Sequence, residues 1–214
     1  MSSAAGDATD RLPQSLLDAI APRGQARSFP THAILINEGD TTDSLYIVLS
    51  GRVKVYASSD DGREVVLTEY GPGEYFGELS IDGDKRSASI KAIEACTCRV
   101  VPSSDLRQFL ADHPDFAMHL TGKLIRMVRR LTEQVRSLAL HDVYGRMVRV
   151  LTEMSDPVGE ERVLRRRMTQ QDIADRVGSS REMVNRVMKE LTAGGYVEQR
   201  DGRLVIRRKL PPAW

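Results

Sequence analysis

The spacing of apolar residues changes along the chain, and its first half predicts mainly strands. Residues 12–20 have the helical period of a short amphipathic helix. From about residue 27 to residue 101, short apolar or alternating runs are separated by turns rich in Gly and Asp, which is typical of antiparallel strands. The runs are AILI, SLYIVL, GRVKVYAS, REVVLTEY, SASIKAI and CTCRVV. Many short strands with glycine turns predict an antiparallel roll or barrel.

After residue 102 the period becomes helical, and an apolar seam follows with the spacing 4, 3, 4, 3. Its members are Leu124, Val128, Leu131, Val135 and Leu138. Val at the a positions and Leu at the d positions favour a parallel two-stranded coiled coil, so this seam predicts the interface of a homodimer. The alternative, that the helix packs this stripe onto its own domain, stays open.

Residues 168–191 predict two short helices joined by a tight turn. Thr169 is expected to cap the first helix, Gly178 to end it with a positive φ, and Ser179 or Ser180 to cap the second. On the second helix, Arg can bond guanine and Glu can accept from cytosine in the major groove of DNA. This arrangement predicts a helix-turn-helix that binds double-stranded DNA. The predicted DNA-binding residues are Thr169, Ser180, Arg181, Glu182, Asn185 and Arg186.

The segments on either side of this motif complete a small domain. Residues 155–162 (SDPVGEER) are predicted to form a turn. Near the C-terminus, residues 196–199 and 203–207 flank Arg200-Asp201-Gly202, in which Asp-Gly is typical of a tight hairpin. We therefore expect that hairpin to be the wing of a winged helix.

Charge and composition are consistent with a DNA-binding regulator. The chain of 214 residues has a net charge of +1, but residues 143–214 contain 15 Lys or Arg and 10 Asp or Glu, a net charge of +5. The other residues contain 16 basic and 20 acidic side chains, a net charge of −4. A basic C-terminal segment joined to an acidic remainder is suited to binding the phosphate backbone of a nucleic acid. Hydrophobic residues make up 41% of the chain, which is enough for packed cores.

The sequence also predicts where the protein resides. No apolar run is long enough for a membrane span, and the N-terminus shows no secretory signal, so we expect a cytoplasmic protein without a membrane partner. Cys96 and Cys98 alternate with polar residues, and both thiols are expected to face the core rather than to form a metal or redox pair. No P-loop, catalytic triad or metal-ligand pattern indicates an enzyme.

A second chemical motif lies among the strands, in FGELSI at residues 76–81 and DGDKRSA at residues 82–88. Gly77 allows a backbone to approach a ligand closely, and the following residues could open a helical turn whose N–H groups hold an anion. Arg86 would add a bidentate fork and Ser87 a hydroxyl donor. Glu78 cannot serve the same phosphate, but it could accept from a ribose hydroxyl. An ordinary β-turn remains the alternative for this segment.

FGEL with RSA, DVYGR at residues 142–146 and SREMVNRVMKEL at residues 180–191 together resemble the family of the cyclic AMP receptor protein and the fumarate-nitrate reduction regulator. The resemblance covers roughly residues 12–208. It implies an α+β fold with an N-terminal jelly-roll cyclic-nucleotide-binding domain, a long dimerisation helix and a C-terminal winged helix-turn-helix. The expected boundaries are 1–11 for a disordered N-terminus, 12–115 for the roll, 116–141 for the helix and 142–214 for the DNA-binding domain.

The resemblance also implies roles for individual residues. Those expected to hold the nucleotide are Gly77, Glu78, Leu79, Arg86, Ser87 and Thr132. In the cyclic AMP sensors of the family, two adjacent hydroxyl residues meet the adenine, whereas this chain has Leu131 and Thr132 at the matching positions. The resemblance implies cyclic AMP as the effector, and cyclic di-GMP is the alternative effector because one of the two hydroxyl residues is missing.

Other branches of the family need chemistry that the sequence does not offer. The iron–sulfur branch requires an N-terminal cysteine cluster, and residues 1–30 contain no cysteine. The four histidines show no spacing that indicates a haem ligand, so no metal, haem or iron–sulfur cluster is expected. The resemblance therefore implies a homodimeric bacterial activator that binds a palindromic TGTGA-like site and RNA polymerase. The alternatives are the same scaffold with another effector or none, and, remotely, the regulatory module of an enzyme.

Overall fold

The computed structural model describes residues 10–211. Its helices are α1 (Gln14–Ile20), α2 (Ser103–Asp112), α3 (Pro114–Leu140), α4 (Val143–Glu153), α5 (Gln170–Val177) and α6 (Arg181–Ala193). The strands of the N-terminal half are β1 (Gln25–Phe29), β2 (Ile34–Ile36), β3 (Leu45–Ser50), β4 (Val53–Ser58), β5 (Glu64–Tyr70), β6 (Tyr75–Phe76), β7 (Ser89–Ala92) and β8 (Cys96–Val101). Those of the C-terminal half are β9 (Ser155–Val158), β10 (Glu161–Leu164), β11 (Val197–Arg200) and β12 (Arg203–Ile206).

The first eight strands form two sheets around one core, which confirms the predicted roll. The strand orders are β1-β8-β3-β6 and β2-β7-β4-β5, and the core between the sheets takes side chains from both. Cys96 and Cys98 are buried in it, as predicted, and both are free thiols. Burial raises the pKa of Cys98 to about 12, which keeps the thiol protonated and unreactive at neutral pH.

A second apolar cluster covers the outer side of β3 and β6. It is formed where α1, α2 and the first turns of α3 pack onto these strands, with Phe109 and Phe116 fully buried. Phe109 and Phe116 meet edge to face at 5.2 Å, a favourable arrangement for two aromatic rings. This packing fixes the N-terminal part of α3 against the roll.

The chain divides into two compact units, and the division falls within α3. The first unit holds the roll and α3 as far as Arg130, and the second holds residues 131–211 with the short segment 59–65. In the second unit, helices α4, α5 and α6 pack against the sheet β11-β12-β10-β9 around a single apolar core. This is the predicted winged helix-turn-helix.

Several local predictions need correction or restriction. Residues 155–162 are not a simple turn: β9 and β10 pair there as an antiparallel hairpin, with Pro157 opposite Arg162. Pro157 is tolerated because β9 is an edge strand, where a missing N–H costs no ladder bond. The sequence pattern also missed β1 and β6, and α1 begins at Gln14 rather than at residue 12. Of the N-terminus predicted to be disordered, residues 1–9 lie outside the described residues.

Candidate functional site

Gly77 begins a short 3₁₀ turn, Glu78–Asp82, between β6 and β7. Its φ of 87° is in the left-handed region that favours glycine. A Cβ at this position would lie 2.7 Å from the carbonyl oxygen of Ser44 and 2.9 Å from Nη1 of Arg86. Glycine is therefore required by the fold as well as suited to a close ligand, because any side chain would displace Arg86.

Arg86 is buried and lies against this turn. Nη1 donates to the carbonyl oxygen of Gly77 and to Oγ of Ser80, both at 2.8 Å. Nη2 donates to the carbonyl oxygen of Ser44 at 2.8 Å, and Nε to Oγ1 of Thr42 at 3.2 Å. Burial lowers the pKa of Arg86, and nearby acidic groups oppose that shift. A guanidinium has five N–H groups, so these four bonds use most of its capacity.

Glu78, the first residue of the turn, is 4% exposed and pairs with Lys123 of α3. The distance from Lys123 Nζ to Glu78 Oε1 is 3.0 Å. Oε2 of Glu78 is buried and has no hydrogen-bond partner among residues 10–211. Sequence reasoning missed Lys123, although its spacing from Phe116 and Leu120, at i, i+4 and i+7, places it on the buried face of α3.

The remaining predicted ligand residues are at the surface. Leu79 is 46% exposed, and Ser87 is exposed directly after Arg86. The structure thus brings Gly77, Glu78 and Arg86 together at one turn. Thr132 is an exposed residue of α3 in the second unit.

The helix-turn-helix has the predicted caps. Oγ1 of Thr169 accepts from the backbone N–H of Asp172, and the Asp172 carboxylate accepts from the backbone N–H of Thr169 at 2.8 Å, which completes a capping box. Gly178 ends α5 with a φ of 66°. Ser180 Oγ accepts from the backbone N–H of Met183 at 3.2 Å and so caps α6. The side chains of Thr169 and Ser180 therefore fix the two helix starts.

The outward face of α6 carries the predicted base-reading side chains. Arg181, Glu182 and Arg186 are exposed. Its own backbone N–H and the Ser180 hydroxyl lower the pKa of Glu182, so its carboxylate is an ionised acceptor at neutral pH. Asn185 is half-buried, and its Oδ1 accepts from Nε2 of Gln170 on α5 at 3.1 Å. This bond uses the carbonyl oxygen of the Asn185 side chain and not its NH₂ group.

The DVYGR motif at residues 142–146 caps α4 and connects it to the end of α5. Oδ1 of Asp142 accepts from the backbone N–H of Gly145 at 2.7 Å and caps α4. From α4, Arg146 donates through Nε to the carbonyl oxygen of Val177 at 2.8 Å and through Nη2 to that of Gly178 at 3.4 Å. Arg146 therefore satisfies carbonyls at the end of α5 that the helix itself leaves unpaired.

The wing is the hairpin of β11 and β12. Asp201 and Gly202 both have positive φ, 53° and 74°, as a type I′ turn requires. Arg207, exposed at the base of the wing, lies 3.3 Å from Glu198 and 3.7 Å from Glu161. These ion pairs engage its guanidinium, whereas Lys189 of α6 is simply exposed.

Most of the predicted seam on α3 is exposed in the single chain. Val128 is 63% exposed, Leu131 40%, Val135 66% and Leu138 51%. Leu124 differs, since it is half-buried against the apolar cluster formed by α1, α2 and α3. Four of the five seam residues are therefore large apolar side chains that are at least 40% exposed among residues 10–211.

No helix within residues 10–211 is long and apolar enough to cross a membrane. No group of three or more His, Cys, Asp or Glu side chains among these residues could hold a metal ion.

Comparison with known proteins identifies both halves of the chain. Residues 26–113 match the family model of the cyclic nucleotide-binding domain, and residues 145–209 match that of the Crp-like helix-turn-helix domain. The first match contains the Gly77 turn and Arg86, and the second contains α5, α6 and the wing.

Relatives extend this similarity over nearly the whole chain. The "CRP-like cAMP-activated global transcriptional regulator" of Mycobacterium tuberculosis is 34% identical over 86% of this chain and 84% of its own. The "cAMP-activated global transcriptional regulator CRP" of Haemophilus influenzae is 31% identical over 96% and 93%. Among solved structures, the c-di-GMP responsive regulator CLP of Xanthomonas campestris has a TM-score of 0.82 and 29% identity, over 91% of this chain and 99% of CLP. The chain belongs to the CRP/FNR family of transcription regulators.

Proposed function

We propose that the protein is a homodimer whose binding to a palindromic, TGTGA-like DNA site is controlled by a cyclic nucleotide in the roll, with cyclic AMP as the effector. The observation that carries this proposal is the presence of a cyclic nucleotide-binding domain and a Crp-like helix-turn-helix in one chain. The names of two relatives describe them as cAMP-activated. We expect the protein to act in the cytoplasm as an activator and to contact RNA polymerase.

The Gly77 turn has the chemistry that a ribose phosphate needs. Arg86 supplies a buried cation, and the exposed Ser87 supplies a hydroxyl donor beside it. Oε2 of Glu78 is a buried acceptor without a donor among the described residues, and a ribose hydroxyl could supply one. Leu79 adds apolar surface, and we expect Thr132 to meet the base. Binding would then shift an existing equilibrium between two arrangements of the recognition helices.

A second candidate effector is cyclic di-GMP. The matching solved structure of CLP is described as a c-di-GMP responsive regulator. In addition, this chain has Leu131 where a second hydroxyl would be needed for the adenine. The two effectors share a ribose phosphate, so the same turn would serve either one.

Calorimetric titration distinguishes the effectors. The purified protein is titrated with cyclic AMP, cyclic GMP and cyclic di-GMP, and its affinity for a palindromic TGTGA-like duplex is measured by fluorescence anisotropy with and without each of them. We expect cyclic AMP to bind and to tighten DNA binding. If only cyclic di-GMP does so, it is the effector, and if no nucleotide binds, the proposed ligand control is wrong.

Replacing Arg86 with Gln is expected to weaken cyclic nucleotide binding about 10- to 100-fold, because a charge-assisted contact to the phosphate is lost. The melting temperature should fall as well, since Arg86 supports Gly77 and Ser44. Titration well below the melting temperature separates the two effects. As a control, Lys85→Gln removes the same charge at the exposed neighbouring position. Unchanged affinity in Arg86→Gln would place the phosphate elsewhere.

A further inference from the structure

A buried ion pair joins the Gly77 turn to the long helix α3. Lys123 is fully buried, and its Nζ lies 3.0 Å from Oε1 of Glu78. The same Nζ donates to the carbonyl oxygen of Tyr75. It also lies over the rings of Tyr75 and Tyr70, 3.9 and 4.7 Å from their centroids. The ammonium is therefore held on several sides and has little freedom to leave Glu78.

Burying the Lys123–Glu78 ion pair costs free energy of desolvation, so the stability of the fold alone does not explain why the pair is present. Removing two charges from water costs several kcal/mol per ion, and an apolar pair of similar volume is often no less stable. Burial lowers the pKa of Lys123, and Glu78 opposes that shift. An apolar residue at position 123 would complete the stripe begun by Phe116 and Leu120 without this cost.

The pair satisfies only one oxygen of the Glu78 carboxylate. Lys123 bonds Oε1, whereas Oε2 is buried and no donor within residues 10–211 reaches it. Buried carboxylate oxygens are seldom left without a partner. The turn that carries Glu78 is also held by Arg86, through Gly77 and Ser80. Two buried cations thus fix this turn from separate elements and leave one acceptor unsatisfied.

We propose that Lys123 is the positioning residue for hydroxyl recognition: it holds Oε1 of Glu78 so that Oε2 accepts from the ribose 2′-hydroxyl of the nucleotide. The inference rests on the proposed function, because it needs a ribonucleotide at the Gly77 turn. It assigns selectivity for ribose over deoxyribose to a residue of α3 that does not itself touch the ligand. It also makes the helix that carries the seam a direct neighbour of the hydroxyl acceptor.

The test compares cyclic AMP with 2′-deoxy cyclic AMP, or cyclic di-GMP with its 2′-deoxy analogue if that nucleotide binds more tightly. The measured quantity is the ratio of the two dissociation constants. We expect the wild type to prefer the ribonucleotide at least tenfold, as a hydrogen bond to a charged acceptor implies. Lys123→Met should lower this ratio to about 1 while the deoxynucleotide keeps its affinity within about threefold, because Lys123 then no longer holds the Glu78 carboxylate in the orientation that the hydroxyl needs.

Two further variants isolate the role of Lys123. Glu78→Gln should also abolish the preference, and adding Lys123→Met to it should change the ratio no further, since Lys123 acts only through Glu78. Lys85→Met, at an exposed position near the turn, serves as the control and should keep the wild-type ratio. A purely structural Lys123 would instead weaken both nucleotides equally and leave the ratio of Lys123→Met unchanged, which would overturn the proposal.

A measurement on the wild type covers the case in which Lys123→Met does not fold. With ¹⁵N-labelled lysine, the Nζ resonance that is absent from the Lys123→Met/Glu78→Gln double variant is assigned to Lys123. The ribonucleotide should shift it more than the deoxynucleotide does, and equal shifts would contradict the proposal. A wild type that binds a ribonucleotide and its deoxy analogue equally also overturns it. A wild type that binds no nucleotide refutes the proposed function itself, so the two failures are distinguishable.

Discussion

Leu131→Asp is expected to convert the proposed dimer into monomers and to abolish specific DNA binding. Leu131 occupies a d position of the seam and is 40% exposed in the single chain, between the more exposed Val128 and Val135. A carboxylate there would be buried on both helices and would face its own copy across the two-fold axis, which is strongly unfavourable. Without a dimer the two half-sites are no longer bound together, and affinity should fall toward non-specific binding, by roughly 10³-fold or more.

Sedimentation velocity and DNA anisotropy measure the two consequences separately. The matched control is Arg136→Asp, which introduces the same carboxylate at an exposed position outside the seam. Within residues 10–211 that change breaks an exposed i, i+3 ion pair with Glu133, so stability should change little. A Leu131→Asp variant that remains a stable dimer would mean that the seam packs within one subunit.

Features that depend on a few neighbouring residues could be predicted from the sequence. The cap at Thr169, the cap at Ser179 or Ser180 and the positive φ of Gly178 follow from what those residues can bond or avoid. The structure confirms them, with Ser180 as the second cap. The turn at Asp201-Gly202 is another example, since that dipeptide favours positive φ at both central positions. Local chemistry alone decides each of these.

Features that depend on distant parts of the chain could not be predicted in the same way. Residues 155–162 contain Pro157 and several charges, so the sequence favoured a turn. The strand β9 forms because β10, itself paired with β12, offers it an edge. The two-residue strand β6 is likewise defined by its pairing with β3 rather than by a pattern of its own.

At the Gly77 turn, too, some features could be predicted from neighbouring residues and others depend on distant parts of the chain. The sequence predicted that Gly77, Glu78 and Arg86 act together, and the structure brings them to one turn. The sequence did not predict that the Arg86 guanidinium would donate to backbone carbonyls of the protein. The carbonyl oxygens of Gly77 and Ser44 come close to it only in the folded chain. Nor did the sequence predict the burial of Lys123, since lysines are rarely buried unless paired and its partner Glu78 is 45 residues away in sequence.

Glu182→Ala is expected to relax the choice of base at one symmetric pair of positions in the DNA site. The ionised carboxylate at the start of α6 is exposed beside Arg181 and can accept from a cytosine amino group in the major groove. Each such contact is worth about 1–3 kcal/mol of discrimination, and a dimer would make it once in each half-site. Selection of binding sites from a random library, at one fixed salt concentration, should recover the wild-type motif with those two positions degenerate.

Lys189→Ala supplies the control that separates base reading from general attraction. Lys189 is exposed on the same helix and is expected to meet a phosphate, so its loss should weaken all sequences alike and reduce the salt dependence of binding. The selected motif should then stay as stringent as in the wild type, while the slope of log K against log salt falls by about 1 for each half-site. A Glu182→Ala variant that recovers the wild-type motif with equal stringency would show that this carboxylate reads no base, and that α6 enters the groove through another face.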